Sequence, residues 1–180
     1  MNTGQAQIQG NIIVGDVEGQ QFLSFFLDDE EYAIDILRVQ ELRGWVPVTR
    51  VPDMPDYLKG VLNLRGAIIP VVDLRKRFSL AEVEYGPTTV VIVIKVVSND
   101  VERVMGIIVD AVAETYIFNQ AEIQPSPQVG GSINSDFITG LVAQDDRMIV
   151  LMDIDMLMNS DEMSVEISGK NVEKTLQEST

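Results

Sequence analysis

The side chains of this sequence that could perform acid–base or metal chemistry are acidic, and several of them occur in pairs. Among 180 residues there is no histidine and no cysteine, so the chain offers no imidazole base, thiolate or soft metal ligand. Acid pairs occur in "DDEE" (residues 28–31), at Asp145 and Asp146, and in "DID" (residues 153–155). The first two fall where hairpin turns are expected and predict solvated turns. The third predicts a helix N-terminus capped by Asp153, with a hard-cation site as the weaker interpretation.

The glycines form neither a phosphate loop nor a dinucleotide-binding fingerprint. An enzyme needs a nucleophile, an acid–base pair, a metal or a cofactor cradle, and the sequence is poor in all of these. We therefore expect a protein that has no enzymatic activity and needs neither a metal nor a cofactor. A small acidic β-barrel enzyme and a divalent-cation-binding domain are the alternatives.

One arginine stands where a cation is unusual. Arg65 and Gly66 separate two strand-like apolar runs in "GVLNLRGAIIPVVDLRKRF", residues 60–78. The net charge of −15 argues against nucleic acid or an anionic membrane surface as a partner, because such polyanions bind through Lys and Arg. Residues 38–77 nevertheless hold eight basic and four acidic residues, a net +4 against −19 for the rest. This predicts a basic face that meets an acidic partner protein, although solubilising charge explains any single residue equally simply.

Short runs rich in Val, Ile, Phe and Tyr alternate with turn residues, which predicts an all-β fold. Residues 21–36 ("QFLSFFL", "DDEE", "YAIDI") predict one hairpin, and residues 89–110 predict a second. The longest apolar runs have the length of strands, well short of the roughly 20 residues of a membrane span. The N-terminus lacks the features of a secretory signal. We expect a cytoplasmic protein without membrane insertion, with polar tails at residues 1–20 and 161–180.

The chain also repeats itself at fixed offsets. Residues 32–41 match residues 105–114 at an offset of 73, and after a seven-residue insertion residues 57–78 match residues 137–158 without gaps. Such an offset indicates duplication and predicts two β units of about 70 residues, each the size of a small closed barrel. Within the expected domain at residues 21–160, we place barrel 1 at about 21–84 and barrel 2 at about 85–160.

The two copies separate structural residues from functional ones. Gly60 matches Gly140 at a strand start, and Asp73 matches Asp153 at a helix N-terminus, so structure alone explains these residues. In contrast, "NLRG" in the first copy faces "AQDD" in the second. Both can form a tight turn, and the turn therefore does not require Arg65.

From Gln21 to about Met163 the chain resembles the CheW-type chemotaxis coupling proteins. The stretches that carry the resemblance are "EEYAIDILRVQELRG", "YLKGVLNLRGAIIPVVDLRKRF", "VVIVI", "GIIVDAV", "FITGL" and "DRMIVLMDIDMLMNSDEM". The resemblance implies two intertwined five-stranded SH3-like barrels with short helices. It also implies a scaffold that joins the cytoplasmic tips of methyl-accepting chemoreceptors to the regulatory domain of the histidine kinase CheA. The expected location is the cytoplasm, at the receptor arrays of the inner membrane, and rings with other CheW copies are a further partnership that the resemblance leaves open.

The resemblance also assigns site residues. It implies a kinase-binding surface at Val39, Glu41 and Arg65, and a receptor-binding groove between the barrels at Leu23, Ile36, Val39 and Val112. Taken singly, each of these aliphatic residues is more often core than contact. Because the arginine fork suits a carboxylate, we expect an ion pair between Arg65 and Glu41 that shapes the kinase-binding edge.

Overall fold

The computed structural model describes residues 19–126 and 136–159 with their side chains. It also gives the backbone of two short strands, β1 (Ile8–Gln9) and β2 (Ile12–Ile13), which pair antiparallel. This pair lies within the stretch expected to be an N-terminal tail. The other residues before 19 and the expected tail at 161–180 lie outside the described residues.

Ten further strands of the described residues form two five-stranded sheets, which confirms the all-β prediction. They are β3 (Gln20–Leu27), β4 (Glu30–Asp35), β5 (Val39–Gly44), β6 (Leu58–Leu64), β7 (Ala67–Asp73), β8 (Val90–Ser98), β9 (Val101–Val109), β10 (Ala111–Phe118), β11 (Ile138–Gln144) and β12 (Arg147–Met152). The helical elements are short: a 3₁₀ turn (Ile36–Arg38), α1 (Leu74–Arg77) and α2 (Ile154–Met158). Both predicted hairpins, β3–β4 and β8–β9, are confirmed.

The order of strands in the two sheets shows the same duplication as the sequence. Sheet 1 has the order β5-β8-β9-β7-β6 and sheet 2 has the order β10-β3-β4-β12-β11. When unit 1 (β3–β7) is matched to unit 2 (β8–β12), the two orders correspond strand by strand. The parallel pairs β7–β9 and β4–β12 correspond as well.

The two units exchange their first hairpins, so the expected division of the barrels near residue 84 does not match the sheets. Sheet 1 takes its strands from residues 39–109, and sheet 2 takes them from residues 20–35 and 111–152. The cause is the shortness of two connections. Only the 3₁₀ turn separates β4 from β5, and only Asp110 separates β9 from β10, so each of these runs crosses directly from one sheet into the other. The barrels are intertwined for this reason, and from here barrel 1 denotes the barrel of sheet 1 and barrel 2 the barrel of sheet 2.

Each sheet is closed by one extra pair of backbone hydrogen bonds. In sheet 1 the chain beyond β5 returns to β6, where Thr49 and Val61 exchange N–H···O bonds of 3.0 and 2.8 Å. In sheet 2 Gln124 and Leu141 make the equivalent bridge. Gly60 lies beside the first bridge with φ +154°, and a Cβ there would stand 2.1 Å from the carbonyl oxygen of Thr49. The repeated glycine is therefore required by barrel closure.

The central strands are buried on both faces because they separate different cores. Along β8, Ile92 and Ile94 enter a core between the two sheets, whereas Val91 and Val93 enter the core enclosed by sheet 1. A third core lies inside sheet 2. We call the shared one the central core; its largest members are Leu23, Phe25, Leu27, Ile34, Leu58, Leu74, Ile92, Ile94, Met105, Ile107, Phe137, Met152, Ile154, Leu157 and Met158.

Candidate functional site

The turn between β6 and β7 presents Arg65 to solvent. Arg65 and Gly66 form a two-residue hairpin loop with φ of 51° and 87°, and the side-chain oxygen of Asn63 accepts a 2.9 Å hydrogen bond from the N–H of Gly66. Two positive φ values are typical of a type I′ turn, which favours Asn, Asp and Gly. A left-handed conformation costs a residue with a Cβ roughly 1–2 kcal/mol. Arg65 therefore occupies a position where the conformation of the turn favours Asn, Asp or Gly.

The expected ion pair between Arg65 and Glu41 is present. Arg65 Nη2 lies 2.7 Å from Glu41 Oε2, and the Nε of Arg43 lies 3.8 Å from the other carboxylate oxygen. The arginine side chain is 76 % exposed, whereas that of Glu41 is 22 % exposed. Glu41 belongs to β5, an edge strand of sheet 1 whose pairing with β8 is irregular between Val39 and Glu41. The pair thus connects the turn to this edge and leaves the guanidinium available to a partner.

Unit 2 lacks this arrangement at the matching positions. Asp145 stands in place of Arg65, with a φ of 53°, so a residue of opposite charge occupies the first position of the matching two-residue loop. Glu114, which matches Glu41, accepts a 2.7 Å hydrogen bond from the hydroxyl of Tyr116 instead. Burial and this hydrogen bond raise the pKa of Tyr116 above its ordinary value. The edge with an exposed arginine is a feature of unit 1.

The structure brings the four expected groove residues to the central core. Leu23 is a member of that core and is only 5 % exposed. Ile36, Val39 and Val112 are half-buried and pack against it. Leu23 is therefore an interior residue that supports this region, while the other three lie at its rim with part of their surface accessible.

Sequence reasoning missed an exposed leucine beside this rim. Leu37, in the 3₁₀ turn between Ile36 and Arg38, is 82 % exposed, the largest value among the exposed large apolar side chains of the described residues. The side chain of Asp35 caps this turn by accepting a 2.9 Å hydrogen bond from the N–H of Leu37. The sequence shows an apolar residue at this position, but only the conformation of the turn shows that the Leu37 side chain faces outwards.

Arg75 of α1 forms a buried clasp between the two units. Its side chain is 5 % exposed, and its Nη1 donates to Asp110 Oδ2 at 2.6 Å. Its Nε and Nη2 donate to the carbonyl oxygen of Ala81 at 2.9 and 2.7 Å, and Asp28 lies 3.4 Å away. Burial opposes the charge of Arg75, but the bonds to both aspartates outweigh it and raise the pKa of the guanidinium. The clasp fixes the crossing from β9 to β10, two residues before Val112.

In a second clasp the helix supplies the aspartate and the crossing between sheets supplies the arginine. Asp155 of α2, which matches Arg75, lies 2.6 Å from Arg38 at the crossing from β4 to β5. Each clasp therefore joins an arginine of unit 1 to an aspartate of unit 2. The first clasp lies at the start of β10, which carries Val112, and the second lies at the start of β5, which begins at Val39. Both were missed from the sequence, although the gap-free match of Arg75 to Asp155 showed a reversal of charge at one repeat position.

The acid pairs behave differently from one another. Asp145 and Asp146 form an exposed turn as predicted, and Asp153 caps α2 by accepting a 3.0 Å hydrogen bond from the N–H of Met156. The prediction of a solvated turn for residues 28–31 is wrong at Glu31. The Glu31 side chain lies on the buried face of β4 and is 2 % exposed, and its Oε2 lies 3.3 Å from Arg147 Nη1. Among residues 19–126 and 136–159 no cluster of three or more metal-ligating side chains has the geometry of an ion site.

Within the part of the chain that the structure describes, no helix has the length and apolar character of a membrane span.

Comparison with known proteins places these features in a family. Residues 21–162 match the family model of the CheW-like domain. The chain is 44 % identical over 153 residues to the chemotaxis protein CheW of Klebsiella aerogenes, covering 85 % of this chain and 90 % of the relative. It is 37 % identical over 144 residues to the chemotaxis protein CheW of Rhizobium meliloti, covering 80 % and 90 %. The crystal structure of the scaffolding protein TtCheW from Thermoanaerobacter tengcongensis superposes with a TM-score of 0.70 at 32 % identity, covering 79 % of this chain and 94 % of that one.

Proposed function

The chain belongs to the CheW-like domain family, and we propose that it is a non-enzymatic adaptor that couples chemoreceptor tips to the histidine kinase CheA in bacterial chemotaxis arrays. It acts in the cytoplasm at the inner membrane and requires no cofactor. The lack of histidine, cysteine and phosphate-loop glycines supports a role in binding over one in catalysis. Similarity to a protein described as a scaffold supports the same role.

The ion pair between Arg65 and Glu41 is the observation that carries the kinase side of the proposal. It lies at an exposed edge of barrel 1, and its arginine occupies a left-handed turn position where unit 2 has Asp145. A residue that costs the turn some stability is most simply explained by a role outside the turn. The kinase-binding surface consists of Arg65, Glu41 and Val39, which begins the same edge strand.

The rim of the central core is the receptor side of the proposal. Ile36, Val39 and Val112 come from the two crossings between the sheets, so a receptor helical hairpin that docks there contacts both barrels. Leu23 supports the rim from within. We expect a small interface, below about 1,200 Å² in total, as is typical of exchangeable signalling contacts.

Both surfaces are tested directly by co-purification. The CheA regulatory domain and a receptor-tip fragment, each immobilised separately, should retain the purified chain. A matched column that carries an unrelated β-barrel domain serves as the control. Failure to bind either partner at micromolar concentrations would remove the adaptor role.

A further inference from the structure

A cavity of about 390 Å³ lies beside the closure of barrel 1, apart from both surfaces proposed above except at Trp45, which also borders the kinase-binding edge. The loop from Trp45 to Asp56 and the start of β6 form one side, and α1 with the loop that follows it forms the other. The rings of Trp45 and Tyr85 are in tilted contact, with centroids 4.2 Å apart and an interplanar angle of 48°, and form an aromatic wall. The remaining apolar lining consists of Pro47, Val48, Val51, Met54, Pro55 and Leu58.

Three cations line this cavity: Arg50, Lys59 and Lys76. The Nζ of Lys59 lies 5.3 Å from the ring centroid of Tyr85, and Lys76 lines the same cavity. Burial and the charge of Lys76 lower the pKa of Lys59. Two ammonium groups that line one cavity beside an aromatic wall are stabilised by an anion placed between them.

The acidic residues of the lining are Asp56 and Glu82. Glu82 already brings a carboxylate to the cavity, with its Oε1 3.1 Å from Lys76 Nζ. The glutamate side chain is 75 % exposed and extends from the loop after α1, so this contact is a solvent-screened surface ion pair that contributes little to stability. It shows where a carboxylate fits, and it is weak enough to be displaced.

We propose that this cavity binds a carboxylate presented by an acidic peptide segment, with Lys59 and Lys76 holding the carboxylate and the Trp45–Tyr85 wall packing against the aliphatic part of the peptide. The apolar lining suits a peptide, because a hydrated inorganic anion gains nothing from contact with it. The position also fits, since the cavity lies in the basic segment of an otherwise acidic chain. This site does not depend on the adaptor role.

The chain supplies its own reporter, because Trp45 is its single tryptophan. Titration of the full chain with an acetylated, amidated triglutamate peptide at low salt should give a saturable change in tryptophan fluorescence, and triglutamine should give none. Lys59→Gln and Lys76→Gln should each weaken binding about tenfold, because each removes a charge-assisted contact. Lys95→Gln, on β8, is the matched control and should leave binding unchanged. Glu82→Gln should tighten binding several-fold, since it removes the competing carboxylate.

Several results would overturn the proposal. These results are the absence of a saturable change with triglutamate, equally tight binding of triglutamine, and binding that survives both lysine substitutions. Inorganic phosphate that binds as tightly as triglutamate would show a general anion site and contradict the peptide assignment. Circular dichroism melting checks that each variant is folded. If Lys76→Gln unfolds, Lys76→Arg provides the comparison, because it retains the charge and should retain binding.

Discussion

Replacement of Arg65 separates a role in stability from a role in binding. In Arg65→Ala the backbone cost of the left-handed turn stays about the same, because alanine also carries a Cβ, and only the ion pair with Glu41 is lost. With an arginine that is 76 % exposed, the pair contributes at most about 1 kcal/mol to the free energy of unfolding. For a chain of this length that corresponds to a decrease in melting temperature of no more than about 4 °C.

Arg65→Asn sharpens the comparison. Asparagine tolerates positive φ, so the turn should regain part of the roughly 1–2 kcal/mol that arginine costs there. We therefore expect Arg65→Asn to melt at the temperature of the unsubstituted chain or slightly above it. Both variants should nevertheless bind the CheA regulatory domain at least about tenfold more weakly, the loss typical of an important interface residue.

The assay pairs circular dichroism melting with calorimetric titration of the regulatory domain. Arg43→Ala is the matched control, because Arg43 lies on the same edge and makes a longer contact with Glu41, 3.8 Å compared with 2.7 Å for Arg65. Binding that is unchanged in both Arg65 variants would refute the assignment of this edge, and a fall of 10 °C or more in melting temperature would show that Arg65 is a structural residue.

Three further predictions test the groove, the clasp and the closure of the barrel. Val112→Asp, at a half-buried rim position, should abolish receptor-tip binding in a folded protein, whereas Leu23→Asp should unfold it because that side chain is 5 % exposed; calorimetry beside thermal melting distinguishes the two. Arg75→Met should lower the free energy of unfolding by about 3 kcal/mol, measured by urea denaturation, because it leaves Asp110 without its buried partner; a loss under 1 kcal/mol would show the clasp to be dispensable. Gly60→Ala should cost at least about 2 kcal/mol because its Cβ would meet the carbonyl oxygen of Thr49, while Gly66→Ala, whose Cβ would meet nothing within 4 Å, should cost about 1; equal losses would contradict the close approach.

Much of the fold could be predicted from the sequence because its signals are local. The continuous apolar run of β8 and the turn residues that follow it predict a hairpin without knowledge of its partners. The exchange of hairpins between the barrels could not be predicted in this way. It depends on the crossing at Asp110, where a single residue connects strands of different sheets, and strand-pairing partners are not local information.

The candidate site shows the same limit. The contrast between Arg65 and Asp145 indicated a functional arginine, and the family resemblance supplied its partner, Glu41. Burial was the quantity that neither could provide. Leu23 proved to be interior, and Glu31, placed by its sequence in a charged turn, lies under Arg147. The exposure of a side chain depends on which sheet covers its strand, and that follows from the exchanged topology.

The most direct test of the adaptor role is a calorimetric titration of a receptor-tip fragment into this chain after it has been saturated with the CheA regulatory domain. Because the proposed kinase-binding edge and the proposed groove rim share only Val39, while Arg65 and Val112 lie on different strands and different sheets, we expect the receptor to bind with an affinity close to that for the free chain. Loss of receptor binding in the presence of the regulatory domain would contradict a role in coupling the two proteins.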